Sequence, residues 1–112
     1  MVILFQNKKL QKCCSDEKAL IKQFGSVQAK KIMQRLAELV AADNLAVICA
    51  LPAARAHELK GNLKGKISLD LKHPYRLLLE PDLENHPIKK DGGLDWNKVT
   101  IIKILGVEDT HV

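Results

Sequence analysis

Between Arg55 and Pro81 the chain reads RAHELKGNLKGKISLDLKHPYRLLLEP, and apolar and polar positions alternate along it. Ile67, Leu69 and Leu71 are interleaved with Lys66, Ser68, Asp70 and Lys72, and Tyr75, Leu77 and Leu79 repeat the pattern after His73-Pro74. Successive side chains of a strand point to opposite faces, so this period of two predicts strands with one apolar core face and one polar face. By this register Tyr75 faces the core. The His73-Pro74 dipeptide favours an extended or turn geometry, and Gly61 and Gly65 bracket a connection where positive φ has little steric cost. On or beside the polar face the alternation gathers His57, Lys60, Lys64, Lys66 and Arg76.

Other periods hold on either side. Val2-Ile3-Leu4-Phe5 is apolar at every position, which fits a strand inside a sheet better than one at a wet edge. Asn7, Lys8 and Lys9 read as a polar connection. Ser15-Asp16-Glu17 has the hydroxyl cap and first-turn acids of a helix start; this helix turns Ala19, Leu20 and Phe24 inward and stops at Gly25. A longer helix, capped by Ser26, places Ala29, Ile32, Met33, Leu36, Leu39 and Val40 on one face. Its other face, with Lys30, Lys31, Gln34, Arg35 and Glu38, reads as solvated. Residues 45–51 form a short apolar segment ended by Pro52. Period alone does not separate turn from strand there, and a helical turn leading into the sheet is expected.

Residues 81–98 hold Pro81, Pro87 and Gly92-Gly93 and read as a long loop between two strands. Trp96, the single tryptophan, pins the end of this loop to the body or stacks on a base, and pinning is the expected role. Val99 to Val107 is a final strand, apolar on both faces, expected centrally beside the first strand. His73 and His86 precede prolines and read as turn residues.

A chain of 112 residues makes one domain, 1–112, with a single core. Its 18 basic against 13 acidic residues give a net charge of +5, which suits RNA or an acidic protein without identifying either. The three cysteines, two of them adjacent at Cys13 and Cys14, make neither a disulfide framework nor a zinc spacing. Reduced thiols in a cytoplasmic protein, with no cofactor and no metal, are expected. No apolar run approaches the roughly 20 residues needed to span a membrane, and the run at Val2–Phe5 is too short for a secretory signal.

The basic set suits phosphodiester chemistry. RNA is cut without a metal when its own 2′-hydroxyl attacks the adjacent phosphate. Such a site must move protons and hold the charge that develops on phosphorus. Histidine, with an unperturbed pKa of about 6.5, suits the proton transfer, and lysine and arginine suit the charge. His57, Lys60, Arg76 and His111 supply both classes. Each has a plainer reading: a surface histidine, solubilising lysines, an ion pair of Arg76 with Glu80 or Asp70, and a frayed terminus at His111.

HELKGNLKG, then SLDLKHPYRLLLEP and the closing GVEDTHV, resemble the HigB-type branch of the RelE/ParE toxin superfamily, the toxins of bacterial type II toxin–antitoxin pairs. The resemblance runs from VILFQNKKL to the last residues. It implies an α+β fold, β-α-α followed by a mainly antiparallel sheet with the helices packed on one face. It implies a ribosome-dependent mRNA endonuclease in which His57, Lys60, Arg76, Asp109 and His111 are catalytic and Lys64 and Lys66 contact RNA. The implied partners are the ribosome with its mRNA and a cognate helix-turn-helix antitoxin of HigA-like type. HigB-type toxins usually close with Asp-Tyr-His, whereas this chain has Asp109-Thr110-His111. Threonine neither stacks on a base nor matches a phenol in proton transfer. That departure keeps two other readings open: a silent homologue that binds its antitoxin and co-regulates the operon, and a ParE-like gyrase inhibitor, against which His57, Lys60 and His111 argue.

Overall fold

The computed structural model describes residues 1–82 and 95–109; the centre of the expected loop, with His86, and the closing Thr110 and His111 lie outside the described residues. The order along the chain is β1 (Val2–Phe5), α1 (Lys8–Cys14), α2 (Glu17–Phe24), α3 (Ser26–Ala41), α4 (Leu45–Cys49), β2 (His57–Glu58), β3 (Ile67–Asp70), β4 (Tyr75–Pro81) and β5 (Ile101–Asp109). The five strands form one sheet in the order β1-β5-β4-β3-β2. β1 runs parallel to β5, and the other pairs are antiparallel. This is the expected α+β arrangement, with more helix before the sheet than β-α-α.

The extra helix is α1. Asn7, expected in a connection, caps it, its Oδ1 accepting from the Leu10 N–H at 2.8 Å. Ser15 does not start α2 but closes α1, its hydroxyl donating to the Gln11 carbonyl at 2.7 Å. Asp16 is the cap of α2, accepting from the Lys18 N–H at 3.0 Å. Gly25, at φ +83°, both ends α2 and occupies the N-cap of α3, so Ser26 is the first helical residue of α3 and not its cap. A side chain at that φ would be strained, which is why glycine makes the corner. α4 is the expected helical turn, capped by Asn44.

The core lies between the helices and one face of the sheet. Leu20, Ile32, Leu39, Leu45 and Ile48 meet Ile67, Leu69, Leu77, Leu79, Ile102 and Ile104, all essentially inaccessible to water. Each such side chain contributes about 1.5–3 kcal/mol by leaving water. Trp96 packs against this core, the pinning role expected for it.

Three placements differ from expectation, and a fourth residue keeps its face without being buried. β1 is an edge strand, and Val2 and Leu4 on it are exposed. Val40, assigned to the inner face of α3, is 62% exposed. Tyr75 keeps the face expected for it, in the series of Leu77 and Leu79, but at the first position of β4 it is 47% exposed. Arg35, assigned to the solvated face, is 2% exposed. Its guanidinium donates to the Asp70 carbonyl at 2.8 Å and the Ala53 carbonyl at 2.9 Å and pairs with Glu38 at 2.8 Å. Three acceptors at fixed angles match the planar fork of arginine, so a residue that looks solvated by periodicity ties α3 to the end of β3.

Candidate functional site

The sheet register fixes which candidate residues share a face. His57 stands opposite Ser68, and Ser68 opposite Leu78. Asp70 stands opposite Arg76, and Arg76 opposite Glu108. Paired residues lie on the same side of a sheet, as do residues two apart along a strand. His57, Ser68, Asp70, Arg76 and Glu108 therefore occupy the face turned away from the core residues Ile67, Leu69, Leu77 and Leu79. From strand spacing of about 4.8 Å and a rise of about 3.3 Å per residue, the Cα atoms of His57 and Arg76 lie roughly 12 Å apart.

β2 is only two residues long, and His57 on it is exposed. The chain then leaves the sheet at Lys60, passes through a 3-10 turn over Gly61–Leu63, and returns at Lys66. The Lys66 carbonyl accepts from the Leu59 N–H at 2.8 Å, and the Lys66 N–H donates to the Leu63 carbonyl at 3.0 Å. Gly61 and Gly65 have φ of +65° and +87°, the positive values their positions suggested. Lys60 and Lys64 are exposed on this connection and Lys66 is half-buried at its end. Among the described residues none of the three has a carboxylate within 4.0 Å. The connection is thus a cationic rim next to His57.

Arg76 is about three-quarters buried, and its Nε lies 3.4 Å from Oδ1 of Asp70. Of the two acids weighed as its partner, Asp70 fills the role, while Glu80 pairs with Lys103 at 3.4 Å. The other oxygen of Asp70 lies 3.6 Å from Nε of Arg55, a residue at φ +43° in the left-handed region. Asp70 was weighed by the sequence only as a partner of Arg76, and Arg55 and Glu108 were not singled out. For Asp70 the signal was its place on the polar face one strand from Arg76; Arg55 and Glu108 carry none.

Ser68 is fully buried, contrary to its place in a polar face, and its Oγ makes no hydrogen bond. Leu78 beside it is 3% exposed although it belongs to the face opposite the main core. The stripe is therefore polar at its Arg76 end and closed in the middle.

Asp109 falls elsewhere. It pairs with Tyr75, in the register series of Leu77 and Val107, while its neighbour Glu108 pairs with Arg76. The described residues thus bring together His57, Arg76 and the 60–66 rim, and set Asp109 at the end of the other face. His111 lies outside the described residues. Among the described residues no cluster of histidine, cysteine and carboxylate side chains could hold a metal ion.

The cysteines stand apart from this site. Burial, with the neighbouring Cys13 second, pushes the Cys14 thiol up to about 11, and burial pushes Cys49 up to about 11. Cys13 is buried and its thiol donates to Oε1 of Gln23 at 3.2 Å. Thiols held in the neutral form are poor nucleophiles.

No protein-family model matches the chain, and no curated protein does. Among solved structures, a chain of a YoeB–YefM complex from Staphylococcus aureus is similar to it with a TM-score of 0.54 and 20% sequence identity. The likeness covers 100% of this chain and 98% of that one. At that identity it establishes the fold: this chain has the α+β architecture of the matched chain, end to end.

Proposed function

We propose that this protein is the toxin half of a type II toxin–antitoxin pair, of the HigB-type branch, and acts as a metal-independent mRNA endoribonuclease on the ribosome. The observation that carries the reading is the placement of His57 and Arg76 on one face of the sheet, beside a lysine-bearing rim. It is supported by the fold shared with a YoeB–YefM toxin–antitoxin complex. In this reading the RNA backbone passes His57 and Arg76 on this face of the sheet. The 2′-hydroxyl loses its proton and attacks the adjacent phosphorus, the P–O5′ bond breaks and the departing 5′-oxygen takes up a proton. His57 serves one of these proton transfers, and Lys60 and Arg76 stabilise the added charge on phosphorus. Lys64 and Lys66 hold flanking phosphates, and Asp109 and His111 take the catalytic roles that the resemblance implies. The ribosome orients the message, and a helix-turn-helix antitoxin of HigA-like type neutralises the toxin. The site is cytoplasmic in this reading; among the described residues no helix is long and apolar enough to cross a membrane.

Thr110 in place of the family's tyrosine, with Asp109 in register with the other face, favours a second reading: a silent homologue kept for antitoxin binding and operon control.

Induced expression with primer extension on a translated transcript separates these readings. The nuclease reading expects growth arrest and new mRNA ends, both lost in His57→Ala and Lys60→Ala. General acid–base catalysis contributes roughly 10²–10⁴-fold and one preorganised charge-stabilising donor about 10²–10³-fold, so either loss should be near complete. Folded protein with neither arrest nor new ends establishes the silent homologue. Accumulated DNA breaks with intact mRNA establish gyrase inhibition.

A further inference from the structure

At the end of the sheet, on the side away from Arg76, the corner between α2 and α3 and the turn between β3 and β4 enclose a recess of about 410 Å³. Phe24, Ser26, Gln28, Lys72, His73 and Tyr75 line it. A hollow of about 280 Å³, also bounded by Phe24, Gln28 and Tyr75, continues it towards Val107. The larger recess lies in the roughly 300–1,000 Å³ range of small-ligand clefts.

Its lining combines two chemistries. The chain has four aromatic side chains, and two of them, Phe24 and Tyr75, are here. Tyr75 leaves nearly half its surface in water, which core packing does not explain. Lys72 and His73 are exposed beside it. Among the described residues no carboxylate lines the recess or its extension, and Lys72 has no acidic partner within 4.0 Å. Asp109 stands opposite Tyr75 on β5 but is not part of the lining. The walls are also fixed in advance. The buried amide of Gln28 accepts from the Lys72 N–H at 2.8 Å and donates to the Lys72 carbonyl at 3.2 Å, clamping the turn to α3.

We propose that this recess is a second RNA subsite, which takes one unpaired nucleotide with its base stacked on Tyr75 and its phosphate against Lys72 and His73. The proposal rests on the ribonuclease reading and extends it. Unpaired bases are recognised by stacking on aromatic side chains beside a cationic groove, and every base offers a π-face. A protein partner would meet the tyrosine but has to bring its own acid to Lys72; a nucleotide satisfies both. Tyr75 and Arg76 are adjacent, about 3.8 Å apart at Cα, with side chains on opposite faces. An RNA strand rounding the sheet's end therefore meets both sites, and the recess positions the message beside the cleavage residues.

The test uses the full chain with a fluorescein-labelled ten-nucleotide single-stranded RNA, followed by anisotropy, together with cleavage of mRNA on translating ribosomes. Tyr75→Ala should weaken oligonucleotide binding about tenfold, while Tyr75→Phe, which keeps the ring, should bind like the native chain. Lys72→Ala should weaken binding and lower the salt dependence by about one phosphate contact. Native-like binding by folded Tyr75→Ala overturns the subsite, as does a native chain that does not bind the oligonucleotide. In either case ribosomal cleavage that is lost in His57→Ala leaves the ribonuclease reading standing, and absent cleavage removes that reading too. Loss of antitoxin binding in Tyr75→Ala, with RNA binding intact, would make the recess a protein-docking surface and overturn the proposal.

Discussion

Arg76 reaches Asp70 directly across the β3–β4 pair, its Nε 3.4 Å from Oδ1, while Arg55 approaches the other oxygen at 3.6 Å. One carboxylate thus lies between two guanidiniums on the face that carries His57. Both Arg76 and Asp70 are about one-quarter exposed, so water screens the pair and its direct contribution to stability is at most about 1 kcal/mol. Its larger effect is directional, because a carboxylate at Nε helps to fix the plane of the guanidinium.

Asp70→Asn tests that directional role. Removing a negative charge from the cationic face should tighten RNA binding at low salt. A guanidinium less firmly aimed should slow cleavage, because charge stabilisation depends on preorganised donors. Binding by anisotropy and single-turnover cleavage on ribosomes should therefore move in opposite directions, with stability changed by less than about 1 kcal/mol. A parallel loss of binding and cleavage would show that Asp70 holds the fold of the site and not the aim of Arg76.

Arg35 is the buried counterpart. Its replacement by methionine leaves the carbonyls of Asp70 and Ala53 without their donor. Each buried polar group left unsatisfied costs about 1–3 kcal/mol, so Arg35→Met should destabilise the chain by about 3 kcal/mol in a urea titration. Arg35→Lys should recover less than half, because an ammonium does not span three diverging acceptors. A methionine variant within about 1 kcal/mol of the native chain would rule out this structural role.

Cys14 and Cys49 set an alkaline limit. Both thiols are raised from 9.0 to about 11 in the folded chain. Below pH 9 they are neutral in both states and contribute nothing to the pH dependence. Between pH 9 and about 11 the unfolded chain releases these protons and the folded chain keeps them, so stability falls as pH rises. The decline should be shallower in a Cys14→Ala, Cys49→Ala variant than in the native chain. At pH 8 both thiols should react with a disulfide reagent more slowly in the native state than in urea. Equal slopes or equal rates would contradict the burial.

The strands of the sheet were legible because β3 and β4 keep a period of two, and α2, α3 and α4 because each carries an apolar face or a cap. α1 was missed because its polar Lys8, Lys9, Gln11 and Lys12 mask a short stripe of Leu10, Cys13 and Cys14, although Asn7 is an ordinary cap signal. The edge position of β1 was not legible either. An all-apolar tetrapeptide reads as doubly buried whether or not a neighbour covers it, and β1 leaves Val2 and Leu4 in water. The candidate site was legible in its parts: His57, Arg76 and the lysines at 60–66 were all named, and Asp70 was weighed as a partner of Arg76.

The sequence by itself determined the elements, since backbone dihedrals, caps and apolar periodicity act over a few residues. It also supplied the cationic side chains on the 57–76 stretch. Only the tertiary structure decided which of them share a face. Cross-strand register couples residues far apart in the chain, and it put Arg76 opposite Asp70 and Glu108, and Asp109 opposite Tyr75. Burial was decided there too. Arg35 is buried because the end of β3 and the Pro52 turn present carbonyls to it, and Tyr75, at the first position of β4, is left nearly half in water. These are contacts between distant segments, and no local pattern encodes them.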